Sequence, residues 1–206
     1  MTNRSWRDWK LVAALLGATS GVAPAAVADD HLALLRAMSG ANDAGPSLYA
    51  RLMADPAAAR TELAGRGWNV PGSVEGLRAI ATLHAAIDSG AVTSTDWVAD
   101  SEDVLDSFDA QLQKFGKNLT RDDRAAIVAY ADSHLPVARG DYIGWLYGPI
   151  AAVVETHGLA ILNLNDGSDA YHFSVVTPQV YGAWRGRKLS PLIEIEDVSW
   201  QFEAQL

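Results

Sequence analysis

Cysteine is absent from this 206-residue chain, which removes disulfide frameworks, thiolate zinc sites and cysteine nucleophiles together. Basic residues are few: 16 Lys and Arg stand against 25 Asp and Glu, for a formal net charge of −9. A general nucleic-acid surface needs clustered cations to displace phosphate counterions, so nucleic-acid binding is disfavoured. No hydrophobic run approaches the roughly 20 residues that span a bilayer. Catalytic signatures are missing as well. The sequence holds no Gly-x-Ser-x-Gly elbow, no phosphate loop, no dinucleotide fingerprint and no His-Glu-x-x-His pair, so neither a nucleophile nor a cofactor is called for.

What is present is the composition of a folded globular domain, 49% hydrophobic and 20% charged, able to bury a sizeable core. The most legible stretch is 158–178. Ala160, Ile161, Leu162 and Leu164 form a short apolar run, Asn165-Asp166-Gly167-Ser168-Asp169 follows, and Tyr171, Phe173, Val175 and Val176 resume a strand pattern. Short β-rich runs around an Asp-Gly turn predict a hairpin, because Gly tolerates the positive φ such turns require.

Helical punctuation dominates what precedes it. Pro24 opens a pattern through Leu34, Leu35 and Met38 that stops at Gly40. Asp55-Pro56 is a start signal, since Asp caps free amides and Pro suits the first helical position. Ser73 caps a run through Leu77, Ile80, His84 and Ile87, and Gly90 stops it. Asp100 leads another through Val104, Leu105, Phe108 and Leu112, and Thr120 with Asp123 resembles a capping box. A weaker helix spans 142–156, interrupted by Gly144, Gly148 and Pro149. Thr177-Pro178 begins a short helix; Ile193, Ile195 and Val198 suggest a further strand, and 91–98 an edge strand. Residues 40–46 and 135–141 read as loops. The expectation is one α+β domain over 29–206, its helical N-terminal two thirds packed on a small, mainly antiparallel sheet near the C-terminus.

Residues 1–28 are read as an N-terminal helix, with Trp6, Trp9, Ala13 and Leu16 at helical spacing. The alternative is a secretory leader: Arg4, Arg7 and Lys10 precede an apolar stretch, and Ala26-Val27-Ala28 fits a cleavage site after Ala28. The first reading implies a cytoplasmic protein, the second an exported one.

Several groups invite a site. Asp166 and Asp169 are oxygen ligands of the kind hard cations prefer, but Asn, Asp, Gly and Ser also build turns through local hydrogen bonds. His172 alternates with Tyr171 and Phe173, so it is expected to face outward beside Asp166 or Asp169, where an Asp–His pair can do acid–base work. His84 and Asp88 are four apart on a helix and are expected to meet. The acidic run Asp96, Asp100, Glu102, Asp103 and Asp106 reads as helix entry and solvated surface. Seven tryptophans are many for this length. Tyr142, Trp145 and Tyr147 form the densest aromatic cluster, a partner-docking candidate weighed against plain core packing.

The order of elements resembles an uncharacterised bacterial family of domains of unknown function, carried here by Thr95-Asp96-Trp97 and by Leu164-Asn165-Asp166-Gly167-Ser168-Asp169-Ala170-Tyr171. That resemblance covers about 29–176 and implies a fold but no activity. The hairpin is also similar to immunity and regulatory domains of the SMI1/KNR4 kind, α+β modules that bind other proteins. The functional expectation is a non-enzymatic protein-binding or regulatory domain. The alternative is a metal-assisted or acid–base enzyme using the 166–172 hairpin.

Overall fold

A computed structural model describes residues 29–96, 98–136 and 141–197. The N-terminal 28 residues, Trp97 and the last strand-like positions from Val198 on lie outside them, and with them the expected N-terminal helix and cleavage site.

Four helices come first: α1 (Asp30–Ser39), α2 (Ala44–Ala54), α3 (Pro56–Gly65) and α4 (Val74–Asp88). Strand β1 (Thr93–Asp96) follows, then α5 (Ser101–Gln113), α6 (Arg121–Asp132) and α7 (Asp141–Thr156). The hairpin β2 (Ala160–Asn165) and β3 (Ala170–Val176), the short α8 (Pro178–Trp184), and β4 (Lys188–Ser190) with β5 (Ile193–Asp197) complete the chain. All strand pairs are antiparallel and the order across the sheet is β1-β3-β2-β5-β4. The fold is α+β, as the sequence implies.

Caps begin the helices where short polar side chains stand. Asp29, Asp55, Ser73, Asp100, Thr120 and Thr177 each accept a backbone N–H from the first turn that follows, satisfying amides that have no intrahelical partner. Thr120 and Asp123 form the full reciprocal box, Asp123 N–H donating to Thr120 Oγ1 at 3.1 Å and Thr120 N–H to Asp123 Oδ2 at 2.9 Å. Helix α2 is the element the sequence reading passes over, because Gly45 and Pro46 look like loop. Both stand in the first turn, where Pro has no hydrogen bond to lose, and Asn42 Oδ1 takes the Ala44 N–H at 2.9 Å.

Interruptions do not break α7 either. It runs unbroken through Pro149, although an interior proline costs about 3 kcal/mol. Ile143, Leu146, Tyr147, Ile150 and Val154 are all buried along it, and each such side chain is worth roughly 1.5–3 kcal/mol. Burial wins.

The sheet is covered on both faces. Leu162, Leu164, Val176, Ile193 and Ile195 pack with the α1–α4 helices and Trp184. Ile161, Phe173 and Val175 pack with α5, α6 and α7. Alternate residues of one strand point to opposite faces, so β2 and β3 serve two cores. That arrangement corrects one expectation directly: His172 is not outward-facing but only 4% exposed.

Candidate functional site

The hairpin bend is built from its own side chains. Asn165 Oδ1 accepts the Gly167 N–H at 2.8 Å, Asp166 Oδ1 that of Ser168 at 3.0 Å, and Ser168 Oγ that of Ala170 at 3.3 Å. Gly167 has φ +75°, a conformation that glycine adopts without steric cost. Asp166 and His172 do come together: Oδ2 lies 3.5 Å from Nε2. Burial raises the Asp166 carboxyl, but the His172 ring and the Ser168 hydroxyl and amide outweigh it and hold the group below the usual carboxylate range. His172 Nδ1 is buried with no hydrogen-bond partner. Asp169 stands exposed. Among the described residues no three His, Asp or Glu side chains gather as a metal site.

The three aromatics of α7 divide. Tyr147 is fully buried, edge-on to Phe108 at 5.2 Å and to Phe173 at 5.9 Å. Tyr142 and Trp145 are half-buried and turn toward α6. The Tyr142 hydroxyl donates to Asp132 Oδ1 at 2.9 Å; burial first, then that carboxylate, raises its pKa. Trp145 lies flat on His134, centroids 3.8 Å apart and planes 14° off parallel, with Tyr130 beyond at 6.4 Å. His134 is fixed by its Nδ1, 2.8 Å from the Tyr130 carbonyl. His134 and Tyr130 are the members of this ledge that the sequence reading missed, although their i,i+4 spacing at the end of α6 places them side by side.

Beside the ledge, α6 and the start of α5 frame an open groove of about 420 Å³. It is lined by Ala125, Val128 and Ala129 together with Glu102, Arg121, Arg124 and Asp132. Arg124 is neutralised from α5, with Asp106 Oδ1 at 2.7 Å, Glu102 Oε2 at 3.4 Å and Asp109 Oδ2 at 3.7 Å. The acidic run thus divides its work. Asp96 and Asp100 accept backbone N–H groups, of Val98 at 3.1 Å and Asp103 at 2.9 Å, while Glu102 and Asp106 reach Arg124.

Two further histidines, His31 and His84, pack inside the fold. His31 is buried, its Nδ1 2.8 Å from Thr82 Oγ1 and its ring stacked on Tyr49. His84 is buried edge-on to Trp68, while Asp88 pairs with Arg66 at 3.6 Å. Burial is the leading cause that lowers the pKa of both rings.

Residues 30–187 match the family model described as Domain of unknown function (DUF6630). No curated protein and no solved structure matches the chain.

Proposed function

The chain belongs to the DUF6630 family of domains of unknown function, and from its own geometry we propose that it is a non-enzymatic, protein-binding or regulatory domain whose docking surface is the α6–α7 ledge with the adjoining groove. The observation that carries the reading is the Tyr130–His134–Trp145 stack at the end of α6, the helix that also supplies Ala125, Val128 and Ala129 to the open groove. Aromatic ledges supply contact area at low entropic cost, and an open groove lined in part by small residues admits a side chain or a helix face. Its lining carries two acids, Glu102 and Asp132, and two bases, Arg121 and Arg124, so charge there is balanced and the occupant is a partner segment held mainly by apolar anchors.

Two exposed positions test this without disturbing the core: Tyr130→Ala removes the outer ring, and Ala129→Arg fills the channel. A partner captured stoichiometrically by the wild-type domain should bind each variant at least tenfold more weakly, about 1.4 kcal/mol, with circular dichroism unchanged. Recovery of no partner, or of one that both variants retain equally, overturns the proposal.

The enzymatic alternative has one supporting observation, the buried His172 beside Asp166. A general base needs a proton to take within hydrogen-bond reach, and no third ionisable group joins the pair as a metal-binding cluster among the described residues.

A further inference from the structure

Helix α6 carries two charges set against its own dipole. Arg121 is its first residue and Asp132 its last, whereas a helix favours anions in its first turn and cations in its last. The ion pairs of this region run from Arg124 to Glu102, Asp106 and Asp109. Neither Arg121 nor Asp132 shares in one among the described residues; Asp132 Oδ1 accepts the neutral Tyr142 hydroxyl at 2.9 Å. The two cannot meet each other, standing about 16 Å apart along the helix axis.

One stripe joins them. At about 100° per residue, Arg121, Ala125, Val128 and Asp132 fall within about 60° of one another around the helix, with Ala129 at their flank. Val128 is half-buried and the others are exposed, and all of them line the groove. The stripe is apolar along its middle and bears opposite charges at its two ends.

Such a stripe complements itself when reversed. We propose, on the reading of this groove as a docking surface, that its occupant is helix α6 of a second copy of this chain, packed antiparallel across a two-fold axis. An axis beside residues 126 and 127 sets Arg121 against Asp132 of the partner subunit and Ala125 against Val128 of the partner subunit. By symmetry each contact is made twice. Each arginine then meets a carboxylate at the negative end of the partner's helix, so both charges that oppose their own dipole find a favourable one across the interface. The alanines let the two backbones approach to the 8–10 Å or so usual for packed helices.

Charge selects this occupant over others. A purely basic segment would face Arg121 with like charge, and a purely acidic one would face Asp132 with like charge. An occupant that satisfies both carries both signs, in reversed order and at the spacing of α6 itself. The formal charge of −9 makes most encounters between two copies repulsive. The groove is a face where they approach without that penalty, since Glu102 and Asp132 stand beside Arg121 and Arg124.

Sedimentation equilibrium of the full-length chain, from about 1 to about 200 µM, is the test. The expected result is a reversible monomer–dimer equilibrium that Arg121→Glu and Asp132→Arg each weaken about tenfold or more, with circular dichroism unchanged. An equimolar mixture of the two variants should dimerise like the wild type, because in the mixed pair opposite charges face each other at both ends. Loss of the Tyr142 hydrogen bond in Asp132→Arg cannot produce that restoration. A wild-type chain that stays monomeric, a dimer that survives both reversals, or variants that mixing does not restore overturn the proposal. A monomer whose captured foreign partner is lost on Ala129→Arg removes the second copy and leaves the groove a docking surface; neither dimer nor partner removes both.

Discussion

Phe108 of α5 lies flat against Phe173 of β3, ring centroids 3.8 Å apart and planes within 14°. Tyr147 of α7 closes on both rings edge-on, so three elements meet at one aromatic knot. All three side chains are fully buried. Phe108→Ala should therefore cost about 3–5 kcal/mol, read as a shift of the urea unfolding midpoint. A loss below about 1 kcal/mol would mean the knot is loosely packed.

Gly76 offers a test in which helix propensity and packing oppose one another. Alanine is favoured over glycine in a helix by about 1 kcal/mol. A Cβ at this position would lie 2.5 Å from Pro71 Cβ. Pro71 cannot easily retreat, because the Arg60 guanidinium holds the carbonyls of Pro71, Gly72 and Ser73. Overpacking of this kind costs about 1–3 kcal/mol. Gly76→Ala is expected to lower the melting temperature, and Arg60→Ala in the same background to restore part of the loss.

The capping box at α6 is a smaller, cleaner case. Asp123 is held below the usual carboxylate range first by the Thr120 hydroxyl and then by its backbone N–H. Thr120→Ala removes the side-chain half of that exchange and should cost about 1 kcal/mol. Chemical denaturation checks it, and Thr120→Ser should recover most of the loss.

Stability should fall on mild acidification. His31 and His84 have lowered pKa values in the fold, with burial the leading cause for both. Arg66 lowers His84 further, while Asp88 and Glu62 oppose it. The unfolded chain then binds more protons than the native one, so stability is fully present above about pH 6.5 and is lost as pH falls through the folded values. Asp166 adds a second loss of the same sign at lower pH, below about 4. His84→Leu removes a ring whose buried Nε2 has no hydrogen-bond partner. It should flatten the slope of stability between pH 6.5 and 5, measured by urea titration at each pH.

Helix starts were the most legible part of the chain, because a cap is local: Asp55, Ser73, Asp100, Thr120 and Thr177 each act within three residues of themselves. The hairpin was legible for the same reason. Environment was not. His172 and Ser174 alternate with Phe173 and Val175, a pattern that reads as a solvated face. In the fold Ser174 finds the Ala91 carbonyl and His172 finds Asp166, partners that only the tertiary arrangement supplies. The aromatic cluster of α7 was read as one surface, yet Trp145 and Tyr147 are about 200° apart around a helix.

The strand order also has a consequence for crowded solutions. Its outermost members are a four-residue stretch, Thr93–Asp96, and a three-residue one, Lys188–Ser190, whose pairing with β5 is irregular. Stray extended polypeptide meets little unpaired backbone there, and hydroxyl, carboxylate or ammonium groups at either rim. Among the described residues the longer, greasier strands are fenced between these two stubs, an arrangement that works against recruitment of further strands at the sheet edges.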